Sequence, residues 1–326
     1  MSALLFVSSP ALAQTQACSG KNLVEALKSE NQPEYEQLVA QGDKVPNAKG
    51  IFWKIEKDGL DTSYLFGTMH VSDPRVLDLP ESVEDARYDA SVVIVESTEV
   101  LDMKKAMGRV LMQPDMMWLP DGKRLEDYLS KEDAERLAAG LKARGMVLSA
   151  VNRMRPWLIS STLAGTGCEG KRQAKGIKML DMQIAFDAID EDIPLEGLET
   201  FEEQFAAMNS VSTEKQVQNL LTMVTSGVQT RDFTETMIQL YEAGDFSLIW
   251  PMLTGRYASD PLVATSGISE FEDAMLIKRN HLMAERSARF LTEGGAFIAV
   301  GALHLQGEKG LVELFRKQGY TVTRAD

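Results

Sequence analysis

Two of the three histidines in this sequence end the same local pattern, and imidazole is a side chain suited to metal ligation and proton transfer. The letters YLF precede GTMH, which ends at His70, and FIAV precedes GALH, which ends at His304. Each apolar run predicts a buried strand, and the glycine permits a tight turn or a close backbone approach. Open α/β sheets build their sites at the carboxyl ends of strands. We therefore expect His70 and His304 to meet at one edge of a sheet.

A carboxylate, Glu96, ends a third apolar run, SVVIV at 91–95. A carboxylate in that position lies at the sheet edge or is buried with a partner. Two imidazoles and one carboxylate are a common ligand set for Zn, Mn, Co or Fe(II). A lone histidine near a strand end is usually a structural group, so the hypothesis depends on the three residues together. We predict that His70, Glu96 and His304 bind a divalent metal, with Mn, Co or Zn as the cofactor.

Three further residues are candidates for the chemistry of this site. Arg279 and Asn280 lie on a predicted helix before the second histidine motif. Arg279 can stabilise an oxyanion and Asn280 can orient a ligand, whereas a salt bridge and a helix-interior amide are the structural alternatives. Glu199 follows a predicted short strand and is a candidate general base, unless it simply begins the next helix. His281 faces about 100° away from Asn280 on that helix, so we predict a surface or structural role.

The elements that must position these residues change in type along the chain. Strands are predicted at 51–56, 64–67, 91–96, 193–198, 296–300 and 320–324. Helices are predicted at 82–90, 130–142, from 155 onwards, and at 178–189, 213–225, 233–242, 271–291 and 308–318. This pattern favours an α/β (α+β) fold. Its central mixed sheet is built from N- and C-terminal segments, with a helical insertion subdomain at about 100–290.

The residues of the predicted site also resemble those of the TraB/GumN family. The motifs that carry the resemblance are LFGTMH at 65–70, the strand ending in Glu96, MRPW at 154–157, GLET at 197–200, RN at 279–280 and VGALHL at 300–305. The family is similar to the animal Tiki proteins, divalent-metal-dependent proteases that use two Gly-x-x-His motifs and a glutamate. It is also similar to the erythromycin esterase and ChaN-like groups, the latter associated with haem. The resemblance implies a metal site at His70, Glu96 and His304.

Two functions from different classes follow from these residues. The first is a metal-dependent hydrolase, a peptidase or amidase, in which Glu96 is a metal ligand or the general base. The alternative is a non-catalytic exported binding protein for haem or a peptide signal. A carboxylate beyond the metal ligands separates the two, because hydrolysis needs a base, and Glu199 is that candidate. The sequence has no Gly-rich phosphate loop, His-Glu-x-x-His helix or Gly-x-Ser-x-Gly elbow.

Composition and the N-terminus bear on partners and location. The formal net charge of -14 disfavours nucleic acid as a partner, and we expect a peptide or small-molecule substrate. Residues 1–13 contain a short apolar run closed by the letters ALA, which predicts a cleaved signal peptide, with 14–326 forming the TraB/GumN-like domain. No later run is long enough to predict a membrane span. We therefore expect a periplasmic or secreted protein.

The two cysteines, Cys18 and Cys168, allow one intramolecular pairing in an exported chain. Cys18 lies just inside the proposed mature start, where a chain is loose unless it is tied down. Cys168 lies in a predicted loop between Gly165 and Gly170, which makes it an accessible partner. We predict a disulfide between them, although two unrelated cysteines are the simpler alternative.

Overall fold

The computed structural model describes residues 18, 20–165, 167–226, 230–252 and 268–325. The predicted signal peptide, residues 1–13, lies outside these described residues. Within the described ranges, no helix is both long enough and apolar enough to cross a lipid bilayer.

Six strands, counted over the described residues, form one mixed sheet, with five strands from the two ends of the chain and one, Leu195–Gly197, from the middle. They are β1 (Phe52–Glu56), β2 (Ser63–Thr68), β3 (Val92–Val95), β4 (Leu195–Gly197), β5 (Ala296–Gly301) and β6 (Thr321–Arg324). Their spatial order is β4-β3-β5-β2-β1-β6. β4, β3, β5 and β2 run parallel to one another, whereas β1 pairs antiparallel with β2 and β6. The predicted α/β class and mixed sheet are confirmed.

The central strands are apolar because both of their faces are covered. β5 is buried from Ala296 to Val300, as expected of a parallel strand between two packed layers. One face carries Phe66 and Phe297 into a core with the helix residue Ile184. The other face carries Ile298 into a second core with Met283. The sheet therefore separates two apolar layers, which fix the strands in register.

The helices before β4 lie mostly in the first half of the chain. They are α1 (Leu23–Glu30), α2 (Gln32–Gly42), α3 (Pro74–Leu77), α4 (Glu81–Tyr88), α5 (Met103–Leu111), α6 (Pro114–Met117), α7 (Lys131–Ala143), α8 (Leu148–Val151), α9 (Pro156–Ala164), α10 (Cys168–Ala174) and α11 (Leu180–Asp190). α1 and α2 bury Leu27 and Leu38 in the first apolar layer, so the residues before β1 are part of the packed core.

The helices after β4 complete the middle of the chain and the C-terminal cover of the sheet. They are α12 (Phe201–Ser210), α13 (Thr213–Thr225), α14 (Thr230–Glu242), α15 (Ile249–Pro251), α16 (Ile268–Glu272), α17 (Lys278–Glu293) and α18 (Leu311–Lys317). Short 3-10 segments occupy Thr98–Asp102, Pro120–Gly122, Leu125–Tyr128 and Ala302–His304. α7, α9 and α13 enclose a third apolar core, which includes Leu137, Ile159 and Leu220. The middle region is helical, as predicted.

The predicted single helix at 271–291 is interrupted in the structure. A π-helical turn, Asp273–Ile277, joins α16 to α17. π turns insert one extra residue per turn and occur frequently at functional sites. The apolar periodicity of the segment does not reveal this turn, because the pattern continues on both sides of it.

A disulfide joins Cys18 to Cys168, with their Cα atoms 5.7 Å apart, so the predicted bridge is confirmed. Cys168 does not lie in a loop as predicted, because it begins α10 directly after Gly167, whose φ is 77°. A positive φ costs glycine little, so the chain turns at Gly167 and the helix begins at the next residue. The bridge therefore connects the N-terminal segment to a helix.

Candidate metal centre

The sheet brings the three predicted ligands to one edge. β2 and β5 are parallel neighbours with Thr68 opposite Gly301, so the two histidine motifs leave the sheet side by side. β3 lies on the other side of β5, with Val95 opposite Ala299. Glu96 is the residue that follows β3. Because the strands are adjacent and parallel, their carboxyl ends meet at a common edge.

Glu96 lies between the two histidines. Its Oε1 atom is 4.0 Å from His70 Nε2 and 3.7 Å from His304 Nε2. The same oxygen accepts a hydrogen bond of 2.7 Å from the backbone N–H of Gly301. Both imidazoles thus present the same ring nitrogen toward one carboxylate oxygen.

Gly301 leaves open the space that these three side chains share. A Cβ atom at this position would lie 3.1 Å from Glu96 Oε1, 3.6 Å from His70 Nε2 and 3.5 Å from His304 Cδ2. The φ of Gly301 is -52°, which any residue can adopt, so backbone conformation does not require glycine here. The absence of a side chain matters because it keeps the centre of the three ligands clear.

A hydrogen bond at the far side of each ring fixes its orientation. His70 Nδ1 is 2.7 Å from Asp181 Oδ2, and His304 Nδ1 is 2.6 Å from Asn280 Oδ1. Asn280 Nδ2 donates to the carbonyl of Lys309, which leaves its Oδ1 atom as the acceptor for His304. Both Nδ1 atoms therefore carry the proton when the rings are neutral, and both Nε2 lone pairs face Glu96. This arrangement is typical of metal-ligating histidines.

The two histidines differ in exposure and charge. The side chain of His70 is 57% exposed, and that of His304 is 5% exposed. The negative charge of Asp181 raises the pKa of His70 to about 9, although solvent screens part of this attraction. Burial lowers the pKa of His304 to about 4, even though Glu96 favours its protonated form. At neutral pH His304 is neutral and ready to ligate, whereas His70 must first lose a proton.

Arg279 holds Glu96 and Glu199 together beneath the site. Its Nη2 atom donates to Glu96 Oε2 and to Glu199 Oε2, both at 2.8 Å. Its Nε atom donates to both oxygens of Glu199, and Nη1 donates to the carbonyl of Met275. Burial opposes the charge of Arg279, but the two carboxylates raise its pKa above the ordinary value. Arg279 is therefore a buried cation that orients two acids.

The two acids have pKa values shifted in opposite directions. Burial disfavours ionisation of Glu96, but the charges of His304, His70 and Arg279 outweigh it and lower its pKa to about 2. Burial raises the pKa of Glu199 above its ordinary value, against the hydrogen bond from Arg279. Glu96 Oε2 is occupied by Arg279, and its Oε1 faces the histidines. Glu96 is thus an ionised carboxylate with one oxygen directed to the shared space.

The structure brings together six of the residues selected from the sequence, which are His70, Glu96, Glu199, Arg279, Asn280 and His304. His281 is exposed on α17, away from the site. Among the described residues, two side chains that bond the candidate ligands were not selected. Asp181 on α11 bonds His70, and Gln204 on α12 donates to Glu96 Oε2 at 3.2 Å. No motif in the sequence distinguishes either residue from the chain's other polar side chains.

Asp181 on α11 and Glu169 on α10 hold the segment that carries His70. Thr68 Oγ1 donates to Asp181 Oδ1, so one carboxylate bonds both Thr68 and His70. Just after His70, the backbone N–H and hydroxyl of Ser72 donate to Glu169, at distances between 2.8 and 3.1 Å. Glu169 lies on α10, the helix that the disulfide tethers. The segment carrying His70 is therefore fixed by elements far away in sequence.

His70, Glu96 and His304 offer donor types that suit a divalent ion, but their separations are longer than those of a formed metal site. Among the residues that the structure describes, no group of three or more His, Cys, Asp or Glu side chains is arranged to hold a metal ion. Two ligands of one tetrahedral ion lie about 3.4 Å apart, given bonds of about 2 Å. The observed 3.7 and 4.0 Å separations are slightly longer. Two imidazole lone pairs and one ionised carboxylate oxygen nevertheless form a complete donor set for such an ion.

Comparisons with known proteins place the chain near animal metalloproteases. It is 27% identical over 318 residues to Metalloprotease TIKI1 of Danio rerio, covering 83% of this chain and 62% of the relative. It is 25% identical over 322 residues to Metalloprotease TIKI1 of Homo sapiens, covering 84% of this chain and 62% of the relative. The chain thus spans about three-fifths of the length of these curated relatives.

No solved structure shows a significant match to this chain. The family model of the TraB/PrgY/gumN family matches residues 51–324. That range contains all six strands described above and all three candidate ligands. The chain belongs to the TraB/PrgY/gumN family.

Proposed function

We propose that this protein is a metal-dependent hydrolase of peptide or amide bonds, with His70, Glu96 and His304 holding one divalent ion. One observation carries the proposal: two Nε2 atoms and one carboxylate oxygen face a space that Gly301 keeps clear. The far side of each ligand is bonded, which is how proteins fix metal ligands in advance. The distant similarity to TIKI metalloproteases supports the same reaction class.

When bound, a divalent ion supplies Lewis acidity toward a carbonyl oxygen and lowers the pKa of a nearby water. The chain's own residues would hold the ion and orient its ligands. His304 and Glu96 are buried and anchor the site, while the exposed His70 lies on its solvent side. Mn, Co and Zn all accept this donor set. With three protein ligands, a position stays open for substrate.

Glu199 is better suited to positioning than to proton transfer with substrate, so this residue does not separate the hydrolase from the binding protein. Its side chain is 1% exposed, and both of its oxygens accept hydrogen bonds from Arg279. We propose that Glu199 fixes Arg279, which in turn holds Glu96. Arg279 donates hydrogen bonds to Glu96, to Glu199 and to the carbonyl of Met275. We therefore propose that Arg279 orients Glu96 rather than stabilises an oxyanion.

A peptide-library digest tests this proposal. The purified chain is incubated with the library after loading with Mn, Co or Zn, with and without excess chelator. Hydrolysis that needs the metal and disappears in His70→Ala and His304→Ala supports a metallohydrolase. His281→Ala is the matched control, because this exposed histidine lies outside the site, and it should keep full activity. Full activity in His304→Ala, or in excess chelator, would end the proposal.

The same experiment separates the enzyme from the alternative of a binding protein for haem or a peptide signal. A chain that takes up metal through the three ligands but cleaves no peptide under any of these conditions would be a binding protein. A shift of the Soret band when haem is added to the chain, absent in His70→Ala, would identify haem as the ligand.

We also propose that the protein works outside the cytoplasm, in the periplasm or after secretion. The disulfide between Cys18 and Cys168 supports this location, because such bridges persist in oxidising compartments. Fractionation followed by N-terminal sequencing tests the proposal. We expect a mature chain that begins after Ala13 in the exported fraction. Recovery of the uncleaved N-terminus from the cytoplasm would contradict it.

A further inference from the structure

A cleft of about 340 Å³ adjoins the candidate metal centre. Its volume is within the range of small-ligand sites, roughly 300–1,000 Å³. Asn280 lines the cleft and also accepts the hydrogen bond from His304 Nδ1. The metal centre and the cleft therefore share one side chain.

Gln306 lines this cleft with an amide that has no partner. The residue is 8% exposed, and among the described residues neither its Oε1 nor its Nε2 has a hydrogen-bond partner. A buried amide without partners costs free energy, so proteins seldom keep one without a reason. Both atoms are closed to solvent in this structure, so a ligand that offers one donor and one acceptor would satisfy them once the Gln306 side chain turns toward the cleft. A peptide backbone amide has that pair of groups.

The remaining walls of the cleft combine apolar side chains with the charged residues Glu272, Glu308 and Lys309. They include the partly exposed aliphatic side chains of Val45, Leu276, Ile277 and Leu303. Leu276 and Ile277 belong to the π turn, which interrupts a helix where a regular one was expected. Aliphatic walls around one amide match a backbone amide next to an apolar side chain.

The rim of the cleft is fixed before any ligand arrives. Gly307 donates its N–H to the carbonyl of Pro46 at 2.7 Å, and Asn280 Nδ2 donates to the carbonyl of Lys309 at 2.9 Å. These bonds hold the segment after His304 against both α17 and the N-terminal region. A preformed site loses less conformational entropy on binding.

We propose that this cleft is a recognition subsite for a peptide, in which Gln306 pairs with a backbone amide and the aliphatic walls hold an apolar side chain. The inference rests on the proposed function in one respect, that the bound peptide is the substrate of the adjoining metal centre. Binding itself requires no metal. It can therefore be measured separately from hydrolysis.

The test uses N-acetyl-leucine N-methylamide as the probe and the full chain in chelator, with binding followed by NMR titration. We expect a Kd of about 1 mM for the wild type, the affinity typical of a ligand of about 13 heavy atoms. Gln306→Leu should weaken binding by about tenfold or more, because an apolar side chain cannot pair with the amide. Its Tm should stay level or rise, because the substitution removes a buried amide without partners.

Two variants serve as controls for this titration. Gln318→Leu changes an exposed glutamine that already donates to the carbonyl of Ala284, and it should bind the probe as the wild type does. His281→Ala should also bind normally, since the exposed His281 does not line the cleft. N-acetyl-leucine methyl ester, which lacks one N–H, should bind to the wild type more weakly than the N-methylamide does.

The outcomes separate the subsite from the metallohydrolase. No saturable binding by the wild type, or equal binding by Gln306→Leu, overturns the subsite even if the protein hydrolyses peptides. An unchanged KM for apolar peptides in an active Gln306→Leu variant overturns it as well. Probe binding that depends on Gln306 supports the subsite. If the probe binds in this way but the protein hydrolyses no peptide, the metallohydrolase proposal fails and the peptide subsite stands.

Discussion

His70 and His304 end the same Gly-x-x-His pattern, yet the side chain of His70 is 57% exposed and that of His304 is 5% exposed. The Nδ1 atom of His70 faces the carboxylate of Asp181, whereas that of His304 faces the amide oxygen of Asn280. The first partner raises the pKa of its histidine, and burial lowers the pKa of the second. A local motif thus sets where a histidine lies, and residues distant in sequence set its charge.

The two glycines of the motifs also differ in their reason for being glycine. A Cβ on Gly67 would lie 2.9 Å from both the Cα and the Cβ of Ala302, so Gly67 permits the two motifs to pack closely. A Cβ on Gly301 would instead point among the three ligands. The first glycine serves packing and the second serves the site. The predictions below test this division between the two motifs.

The largest expected effect is the loss of either histidine. His304→Ala and His70→Ala should both abolish metal-dependent hydrolysis, because each removes one of three ligands. Their stabilities should differ. His304→Ala leaves a void and an unpaired Asn280 oxygen, at a cost of about 2–4 kcal/mol of unfolding free energy, whereas the exposed His70→Ala loses only its ion pair with Asp181, at a cost of about 1 kcal/mol or less.

Urea unfolding of both variants, beside His281→Ala, measures the stability half of this prediction. Equal destabilisation by His70→Ala and His304→Ala would contradict the difference in burial between these two side chains.

The next effect is the removal of the charge beside His70. Above about pH 9, where His70 is mostly neutral in both proteins, Asp181→Asn should weaken metal affinity by about 10- to 100-fold, which is typical of lost outer partners of a ligating histidine. It should also lower the pKa of His70 toward its ordinary value of 6.5. In the wild type, His70 carries a proton below about pH 9, and a metal ion must displace that proton to bind. Metal affinity should therefore rise with pH up to about 9 and then level off. In Asp181→Asn the plateau should begin nearer neutral pH.

Metal affinity measured by chelator competition from pH 6 to 10 tests this shift, with NMR titration of the histidine resonances in the metal-free protein. A wild-type affinity that is flat across this range would contradict the assigned effect of Asp181.

A smaller effect is expected from a single methyl group at each glycine. Gly301→Ala should weaken metal affinity by about tenfold with little change in stability, because its φ suits any residue while its Cβ crowds Glu96. Gly67→Ala should act the other way and cost about 1–3 kcal/mol of unfolding free energy, since its Cβ meets the backbone of Ala302. Gly108→Ala is the control, because a Cβ there meets no atom within 4 Å.

Calorimetric titration with metal and thermal unfolding of these three variants give both quantities. If Gly301→Ala binds metal as tightly as Gly108→Ala does, the shared space is not the metal site.

The smallest effect on the site is expected from reduction of the disulfide. Cys18 and Cys168 tie down α10, whose Glu169 holds Ser72 just after His70. Reduction should lower global stability by up to about 5 kcal/mol, an upper figure from the chain-entropy model. Metal affinity should fall by less than about threefold, since Asp181 still holds His70. If a Cys18→Ser/Cys168→Ser variant bound metal as weakly as Asp181→Asn does, the contact between Glu169 and Ser72 would matter as much for the site as Asp181 does.

The sequence predicted much of this architecture because the relevant signals are local. Apolar runs predicted the strands that end near His70, Glu96 and His304 within one or two residues. The predicted helix at 213–225 coincides with α13. The paired glycines predicted that both histidines would lie at the sheet edge, since this property depends on the few residues before each one.

Other features depend on tertiary contacts that no local pattern contains. Asp181 contacts His70 from α11, 111 residues away, and Gln204 reaches Glu96 from α12. The burial of Glu199 and Arg279 as a pair follows from a contact between residues 80 positions apart, not from their neighbours in sequence. The π turn was also missed, because one inserted residue does not alter the apolar pattern enough to mark it.

Metal stoichiometry by equilibrium dialysis and elemental analysis tests the central claim most directly. At pH 8 to 9, with Mn, Co or Zn in slight excess, the wild type and His281→Ala should each bind one ion per chain. His304→Ala should bind none, because it lacks the buried ligand whose Nε2 faces Glu96. Retention of a full equivalent by His304→Ala, or no binding by the wild type, would contradict a metal centre at His70, Glu96 and His304.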